Sequence, residues 1–439
     1  METSRAFSAT SLFTILFFHV LGVSIYASDS DGALNGQTIK EIRISGLKWT
    51  KKYIITRELT SKVGEPYVAG NAQRDYERLE TLGLFSYHKV EAFAERDSVV
   101  IGIEVKETFP HLPTLAFRIS DEDGVQAGAG FTSLNLKGQN IRFSGRFLLG
   151  GATNVEAAIE DPWFAGNHLS YRVEFYQRDR GNEVAKFDET STELYTTVGS
   201  YIGERGRIGG RFSFQSVKSD TTGATISSTN RDNVPSIGFF VGYDNRNLWI
   251  NTTRGWLNEI EVMRSGIFGW GDASFWKLTL DLRRYQPIVH NHTLALFSLT
   301  TLTTGTAGVD YAPWQFYGLG GWNTIRGSDL SSRVGKNQMI NTLEYRWTFF
   351  EPYVLTFFGK FTAFIGLQAV VFADLGHAWN EKDEFKLDNF LDGYGFGINI
   401  LTPFSGMARV HLAWNEAGKS IRVGIRGREK AHTQRQRVR

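Results

Sequence analysis

One arginine in a glycine-rich stretch and two carboxylates further along the chain could form a network of ion pairs. The stretch runs from Tyr317 to Ser328 and contains four glycines, with Arg326 as its single arginine and Gly327 beside it. Glu344 and Asp374 each stand in a segment where polar and apolar residues alternate. A guanidinium has five N–H donors and can bind carboxylates in a bidentate arrangement. The chemistry expected here is non-covalent, with Arg326 fastening its loop to Glu344 and Asp374 as a latch.

Glycines on one face of later segments would leave room for such a loop. From position 393 to position 398, glycine alternates with aromatic or aliphatic residues, so one strand face carries no side chains. Such a face lets another stretch of backbone lie close against it. The glycines of this wall are Gly376, Gly393, Gly395 and Gly397. The alternative is that Arg326 is a solvated loop charge and that both carboxylates line a wet lumen.

Patterns typical of catalysis and metal binding are weak in this chain. It has no cysteine, which excludes disulfides and thiolate ligands. His290 and His292 stand together without a further ligand at zinc spacing, and no Gly-x-Ser-x-Gly segment marks a nucleophilic serine. We therefore expect no enzymatic activity, no metal site and no cofactor. A net charge of +2 also argues against nucleic acid as a partner.

The elements that would position these residues are strands with one apolar face and one polar face. From Pro113 onwards apolar and charged residues alternate repeatedly, for example over 171–175 and 276–282. About sixteen such segments lie between Pro113 and Gly427. Charges on the second face of so many strands fit a polar lumen inside a lipid-facing wall. The sequence predicts a mainly β fold, with a transmembrane antiparallel 16-stranded β-barrel over residues 113–427.

The lengths of the connections fit a barrel whose N-terminal side is periplasmic. Short periplasmic turns should then alternate with longer extracellular loops. The segments 177–192, 217–233 and 305–336 are expected to be long extracellular loops, and the last one carries Arg326. Segment 350–361 is an exception, because it is longer than a periplasmic turn should be.

The N-terminal part predicts a signal peptide followed by a small α/β domain. Residues 1–27 combine a charged start, an apolar run and a small residue at a plausible cleavage point. Over residues 38–107, a first strand precedes helices at 53–59 and 71–82, and two strands follow at 87–94 and 99–106.

A three-stranded sheet of this kind leaves an edge at which an extended peptide could add a strand. We place this client-binding edge at Tyr87, Val90 and Ala92. The alternative is that the domain is only a spacer.

The order of elements in residues 38–107, with its Leu82-Gly83-Leu84-Phe85 corner, resembles a single POTRA domain. The barrel segments resemble motifs of the BamA/TamA-like outer-membrane assembly factors, also called bacterial surface antigens. The matching segments are Ile325-Arg326-Gly327-Ser328 for the loop signature, Phe372-Ala373-Asp374-Leu375-Gly376 and Asn341-Thr342-Leu343-Glu344 for two strand motifs, and 161–166, 244–247 and 253–255 for turns.

Three features depart from the family pattern. Ser328 replaces an aromatic residue and Asn341 a glycine, which weakens the local fit. The POTRA-like unit is single, and a basic tail, 428–439, follows the last predicted strand.

The resemblance implies a loop pinned inside the barrel by its arginine and a weak seam between the first and last strands. It also implies the bacterial outer membrane as location, with the N-terminal domain in the periplasm. We expect an assembly or insertion factor for unfolded outer-membrane client proteins that acts in the lipid bilayer. Periplasmic chaperones or accessory lipoproteins are expected as further partners. A transporter that secretes one partner protein, or a channel, is the alternative.

Overall fold

The computed structural model describes residues 32–424 except 121–122, 167, 183, 185, 204, 248–250, 358–360, 403–405 and 416–417. These residues form a small N-terminal domain and a large antiparallel sheet. Among the helices so described, none is long and apolar enough to cross a membrane. The predicted signal peptide, 1–27, and basic tail, 428–439, lie outside the described residues.

The N-terminal domain contains a three-stranded sheet and two helices. Its elements are β1 (Ile39–Ser45), α1 (Lys52–Thr56), α2 (Asn71–Leu82), β2 (Phe85–Glu95) and β3 (Ser98–Glu107). The strand order is β1-β3-β2, with β1 parallel and β2 antiparallel to β3. Buried aliphatic side chains from both helices and from β3 form the core, including Ile54, Ile55, Leu79, Ile101 and Ile103.

Helix α1 is shorter than the predicted segment 53–59. The chain leaves the helix because the buried Asp75 carboxylate accepts hydrogen bonds from the backbone of Thr60 at 2.5 Å and of Ser61 at 3.3 Å. Helix α2 has the predicted bounds, and Gly83 ends it with a φ of +65° that suits glycine.

The large sheet has sixteen strands, all joined to their neighbours in antiparallel fashion. Its strands are β4 (His111–Ser120), β5 (Gly124–Leu136), β6 (Ile141–Gly150), β7 (Thr153–Ala165), β8 (Leu169–Asn182), β9 (Phe187–Ile202), β10 (Gly206–Ser219), β11 (Arg231–Asp244), β12 (Gly255–Ile267), β13 (Trp270–Val289), β14 (His292–Thr303), β17 (Asn337–Phe357), β18 (Phe361–Trp379), β19 (Leu391–Thr402), β20 (Gly406–Asn415) and β21 (Gly418–Gly424). A two-stranded hairpin, β15 (Tyr317–Leu319) and β16 (Arg333–Gly335), lies in the loop between β14 and β17. The predicted class, a 16-stranded barrel after an α/β domain, is confirmed.

Alternation along the strands separates a lipid-facing wall from a polar lumen. On β12, Ile260 and Val262 are exposed on one face, whereas Glu259 and Glu261 are buried on the other. Buried charges are paired across the lumen face: Arg172 donates to Glu160 at 2.9 Å and to Glu174 at 2.6 Å. Charged side chains avoid the lipid face because hydrocarbon cannot solvate them.

Two predicted connections are in fact strand. Residues 353–357 pair with 361–365, so the described residues of segment 350–361, which was expected to be a long periplasmic turn, belong to β17 and β18. Pro352, which has no N–H to donate, lies where the register of these two strands shifts. Likewise, most of 177–192 is ladder, because β8 and β9 remain paired up to Asn182 and Phe187.

The first and last strands of the barrel meet at a seam without a ladder. Strands β4 and β21 come within 8 Å of each other, yet no hydrogen-bonded register joins them in the described part of the chain. Leu115 in the middle of β4 is 95% exposed, since no paired neighbour covers this side of the strand. The seam is therefore an unpaired edge on the lipid-facing wall.

The N-terminal domain packs on the barrel turns that follow β5 and β7. Asn135 donates to the hydroxyl of Thr50 at 2.8 Å, and the backbone N–H of Lys51 donates to the carbonyl of Gly138 at 3.0 Å. Arg57 donates to the carbonyl of Trp163 at 2.9 Å. The domain is thus fixed to the same end of the barrel as these turns.

Candidate functional site: the buried Arg326 loop

The loop between β14 and β17, residues 304–336, folds into the barrel instead of extending away from it. The Thr324 hydroxyl closes a tight turn in this loop. It accepts a hydrogen bond from the N–H of Gly320 at 2.8 Å and donates one to the Gly320 carbonyl at 2.6 Å. Gly320 and Gly327 have φ values of +118° and +98°, which only glycine adopts without strain. Ile325 is fully buried in a small cluster with residues of β14, β17 and β18.

Arg326 stands at the tip of this loop and binds Asp374 on β18 with both its side chain and its backbone. Nε donates to Oδ2 at 2.7 Å and Nη2 donates to Oδ1 at 2.9 Å, which is a bidentate pair. The backbone N–H donates to Oδ2 at 3.1 Å. The Thr342 hydroxyl donates to Oδ1 at 2.7 Å. Asp374 is thus saturated with donors and positions the loop tip against β18.

Glu344 on β17 lies between two arginines. Its Oε1 accepts from Nη1 of Arg326 at 2.9 Å, and its Oε2 accepts from Nε and Nη2 of Arg346 at 2.9 and 2.8 Å. All three side chains are at most 2% exposed. Because a buried charge is costly unless it is paired and hydrogen-bonded, removing one member would leave the others uncompensated.

Two further residues complete the contacts of Arg326. Its guanidinium lies 3.5 Å from the centroid of the Phe372 ring, a cation–π contact inside the barrel. Its Nη1 donates to Nδ1 of His411 on β20 at 3.2 Å. The sequence analysis missed both roles, although Phe372 shares the face of Asp374 by the two-residue period and His411 alternates with apolar neighbours. The two-residue period thus indicated that both side chains point into the lumen, but it does not show which residue each one contacts.

The glycine wall acts in two ways. A Cβ at Gly393 would overlap the Arg326 carbonyl oxygen, and one at Gly376 would lie 2.7 Å from Cδ1 of Ile325. These two glycines admit the loop directly. A Cβ at Gly395 would overlap the Leu412 carbonyl oxygen and lie 2.8 Å from the Phe372 ring. One at Gly397 would overlap the Val410 carbonyl oxygen and clash with the ring of His411. These two glycines let β20 lie close to β19 and also leave space for two side chains that surround Arg326.

The predicted client-binding residues of β2 do not share one face. Tyr87 is exposed on the solvent side of the sheet, but Val90 and Ala92 pack against the domain core. Alternate residues of a strand point to opposite faces, so a client that adds to this edge would pair with the backbone of β2, and the client-binding role of the edge stays a prediction. The backbone of β2 remains an edge in the strand order of this small sheet.

The arrangement around Arg326 is a network of ion pairs and hydrogen bonds. Within the described ranges, no group of three or more His, Asp or Glu side chains could hold a metal ion. The carboxylates in the site accept hydrogen bonds from arginine, threonine and backbone groups. These contacts hold the loop between β14 and β17 inside the barrel.

A single POTRA-like domain, a 16-stranded barrel and an inward loop define a class of outer-membrane protein. Residues 135–426 match the family model of the Omp85 superfamily domain, and residues 37–108 match the POTRA model, described as a surface antigen variable number repeat. The first match covers more than half of the chain, and the chain belongs to the Omp85 superfamily.

One curated relative is outer membrane protein assembly factor BamA from Neisseria meningitidis serogroup B. It is 24% identical over 250 residues, which are 54% of this chain and 30% of the relative. The chain therefore matches less than a third of that protein's length.

Solved structures with the same fold include two kinds of protein. BamA from Haemophilus ducreyi lacking POTRA domains 1–3 aligns with a TM-score of 0.58 and 16% identity, over 88% of this chain and 83% of that one. CdiB from Escherichia coli aligns with a TM-score of 0.61 and 11% identity, over 89% and 74%. CdiB from Acinetobacter baumannii gives 0.60 and 13%, over 88% and 72%. At these identities the likeness concerns the fold alone.

Proposed function

We propose that this protein is an assembly or insertion factor for outer-membrane proteins. Membership of the Omp85 superfamily supports an outer-membrane location with the POTRA domain in the periplasm. The observation that carries the proposal is the unpaired seam between β4 and β21. A client strand can bind there by backbone hydrogen bonds, without covalent chemistry, and the lipid bilayer receives the completed barrel. Chaperones or accessory lipoproteins would deliver clients to the POTRA domain.

The seam suits strand exchange because its opening breaks little. The β20–β21 ladder has seven pairs, whereas β17 and β18 pair over nearly their whole length. A net backbone hydrogen bond is worth only about 1 kcal/mol because water or another strand can replace it. A client strand could therefore pair with the free edges of β4 and β21 without first breaking a ladder between them, and exchange at the short β20–β21 ladder would have a small net cost. The free edge of β2 in the POTRA domain would pair with the same client by the same means.

The Arg326 latch supports this role by bracing the wall next to the seam. It joins Glu344 on β17, Asp374 on β18 and His411 on β20 through one side chain. These strands directly precede β21. If β21 separates from β4, the neighbouring strands remain tied together from inside. The barrel can then open locally without losing its overall curvature.

A dedicated transporter for one secreted partner is the second candidate. It is favoured by the fold shared with CdiB and by a lumen lined with buried charged residues such as Glu160 and Glu174. The two functions differ in where a client contacts the protein. An assembly factor contacts clients at its strand edges, whereas a transporter contacts its partner along the lumen.

Site-specific photocrosslinking separates these cases. Photoreactive residues are placed at Leu115 on the seam, at Tyr87 on β2, at the lumen residue Ser213 and, as a control, at Phe239. Phe239 is 67% exposed on the lipid face of β11, far from the seam in strand order. The proposal predicts several unfolded barrel proteins at Leu115 and Tyr87 and none at Phe239. One secreted partner at Ser213, or equal labelling at Leu115 and Phe239, would overturn it.

A further inference from the structure

The periplasmic loop between β11 and β12 has a defined shape of its own. Arg246 forms a bidentate pair with Asp244 at 3.0 and 3.1 Å. The side-chain oxygen of Asn247 accepts from the backbone N–H groups of Thr253 at 3.0 Å and Arg254 at 3.1 Å. These are the residues of the two turn segments, 244–247 and 253–255, to which the proposed function assigns no role. They hold the two ends of the loop together at its base.

Asn251, near the C-terminal end of this loop, reaches strands β17 and β18 from inside the lumen. Asn251 is buried, and its Oδ1 accepts from Nε2 of Gln368 on β18 at 3.1 Å. The same Nε2 donates to the hydroxyl of Thr348 on β17 at 3.0 Å. The loop also contacts the POTRA domain, since Arg254 donates to Glu77 on α2 at 3.2 Å. The β11–β12 loop therefore lies between the POTRA domain and the strands that hold the latch.

A continuous chain of buried side chains links Asn251 to Arg326. Asn399 on β19 donates to Oε1 of Gln368 at 2.9 Å, and its Oδ1 lies 2.9 Å from Nε2 of His411. Nδ1 of His411 in turn accepts a hydrogen bond from Nη1 of Arg326 at 3.2 Å. Gln368, Asn399 and His411 are each at most 1% exposed. The chain runs from the periplasmic loop to the extracellular loop entirely inside the lumen wall.

Every link in this chain has the same direction of donation. Arg326 can only donate, so Nδ1 of His411 must accept and the ring proton must lie on Nε2. That proton is donated to Asn399, whose amide donates to Gln368, whose amide donates to Asn251. Both amides are thereby fixed in one orientation. If Asn251 leaves, the amide of Gln368 keeps Thr348 as its remaining acceptor and the orientation of the chain is less strongly determined.

We propose that Asn251 is a positioning residue of the Arg326 latch, acting through Gln368, Asn399 and His411. The inference rests on the latch described under the proposed function and adds its connection to the periplasmic side. The contact of Asn251 with Gln368 stabilises the buried state of the extracellular loop. Conversely, loss of this contact weakens the latch at the other end of the barrel.

Trypsin cleavage of the bond between Arg326 and Gly327 reports latch opening, because Arg326 is 1% exposed when latched. The test uses the purified full-length protein, folded in lipid, without any client. Asn251→Ala should accelerate this cleavage about tenfold, the effect expected for one buried hydrogen bond. Asn251→Asp keeps an acceptor oxygen for Gln368 and should restore slow cleavage. Asn154→Ala removes a buried lumen asparagine of β7 that is not part of the hydrogen-bonded series from Asn251 to Arg326, and it should leave the cleavage rate unchanged.

A spectroscopic signature separates coupling from general loosening. The Trp322 ring lies 5.2 Å from the ring of His411, so a fluorinated tryptophan there reports the state of His411. Asn251→Ala should shift the fluorine resonance of Trp322, which is assigned with Trp322→Phe, while Asn154→Ala should not. If Asn251→Ala does not fold, Gln368→Glu breaks the same link from the other side and keeps the acceptor for Asn399.

Unchanged cleavage and an unchanged Trp322 resonance in folded Asn251→Ala would overturn the inference. The inference would also be overturned if the effects of Asn251→Ala and Gln368→Glu on the cleavage rate were additive in the double variant, because both substitutions break the same series of hydrogen bonds. Neither readout involves a client, so these outcomes leave the crosslinking test of the proposed function untouched. Conversely, loss of seam crosslinking would refute the assembly role and leave this coupling in place.

Discussion

Gly393 offers a way to displace Arg326 without changing any group that binds it. A Cβ at this position would overlap the Arg326 carbonyl oxygen, and it would lie 3.0 Å from the carbonyl carbon and 3.4 Å from Cγ2 of Ile325. Because the obstacle is backbone, it cannot rotate away as a side chain would. Ordinary carbon contacts need about 3.5–4.0 Å, so Gly393→Ala requires the loop or β19 to move by roughly 1 Å or more.

A displacement of that size is enough to break the Arg326–Asp374 contacts, which are 2.7 to 3.1 Å long. Breaking a buried ion pair costs about 3–5 kcal/mol. Taking the lower value, the free energy of loop opening should fall by about 3 kcal/mol, which raises the open population roughly a hundredfold. All carboxylates, Phe372 and His411 remain in the variant, so the effect isolates the fit of the loop.

The assay is the initial rate of tryptic cleavage after Arg326, followed by mass spectrometry on the folded protein. Cleavage tracks the open population when opening and closing are fast relative to cutting. Gly210→Ala on β10 is the matched control, since the nearest heavy atom to its Cβ would be 3.7 Å away. We expect fast cleavage only for Gly393→Ala. Equal rates for wild type and both variants would refute the idea that close packing at Gly393 holds the loop.

Two further predictions concern the latch network and the POTRA domain. Arg326→Ala and the double variant Glu344→Gln/Asp374→Asn should each lower the thermal unfolding midpoint of the folded barrel, and their combination should cost less than the sum, because one network is lost either way. Burial lowers the pKa of His88 on β2, so the unfolded chain, in which histidine has a pKa of about 6.5, takes up this proton at a higher pH than the folded domain does. POTRA stability should therefore fall as the pH drops through this value, and His88→Gln should flatten that dependence in thermal unfolding.

Each of these predictions has a contrary result. Strictly additive losses in the Arg326, Glu344 and Asp374 variants would mean that the three side chains do not form one network. For His88, a wild-type pH profile that matches the His88→Gln profile would show that its burial does not govern the acid response.

Alternation of residue types was sufficient to predict the class of fold. A two-residue period assigns every side chain to lipid or lumen, so the inward direction of Glu344, Asp374 and the wall glycines could be derived from local sequence. Helix α2 had the same advantage, because its apolar stripe and Gly83 mark both its face and its end. Errors arose at the predicted connections 350–361 and 177–192, where paired strand extends into segments that were expected to be turn or loop.

Only the tertiary structure decided which inward residues meet. Residues far apart in the sequence meet around Arg326. Phe372 is 46 positions away from Arg326 and His411 is 85, and the hydrogen-bonded series continues from His411 to Asn251, 160 positions before it. A strand period gives direction but not distance across a lumen, because that depends on barrel curvature and on the path of two loops. The same holds for the seam. The family resemblance implied a weak seam between the first and last strands, but whether β4 and β21 pair depends on how the sheet closes, which no local sequence pattern determines.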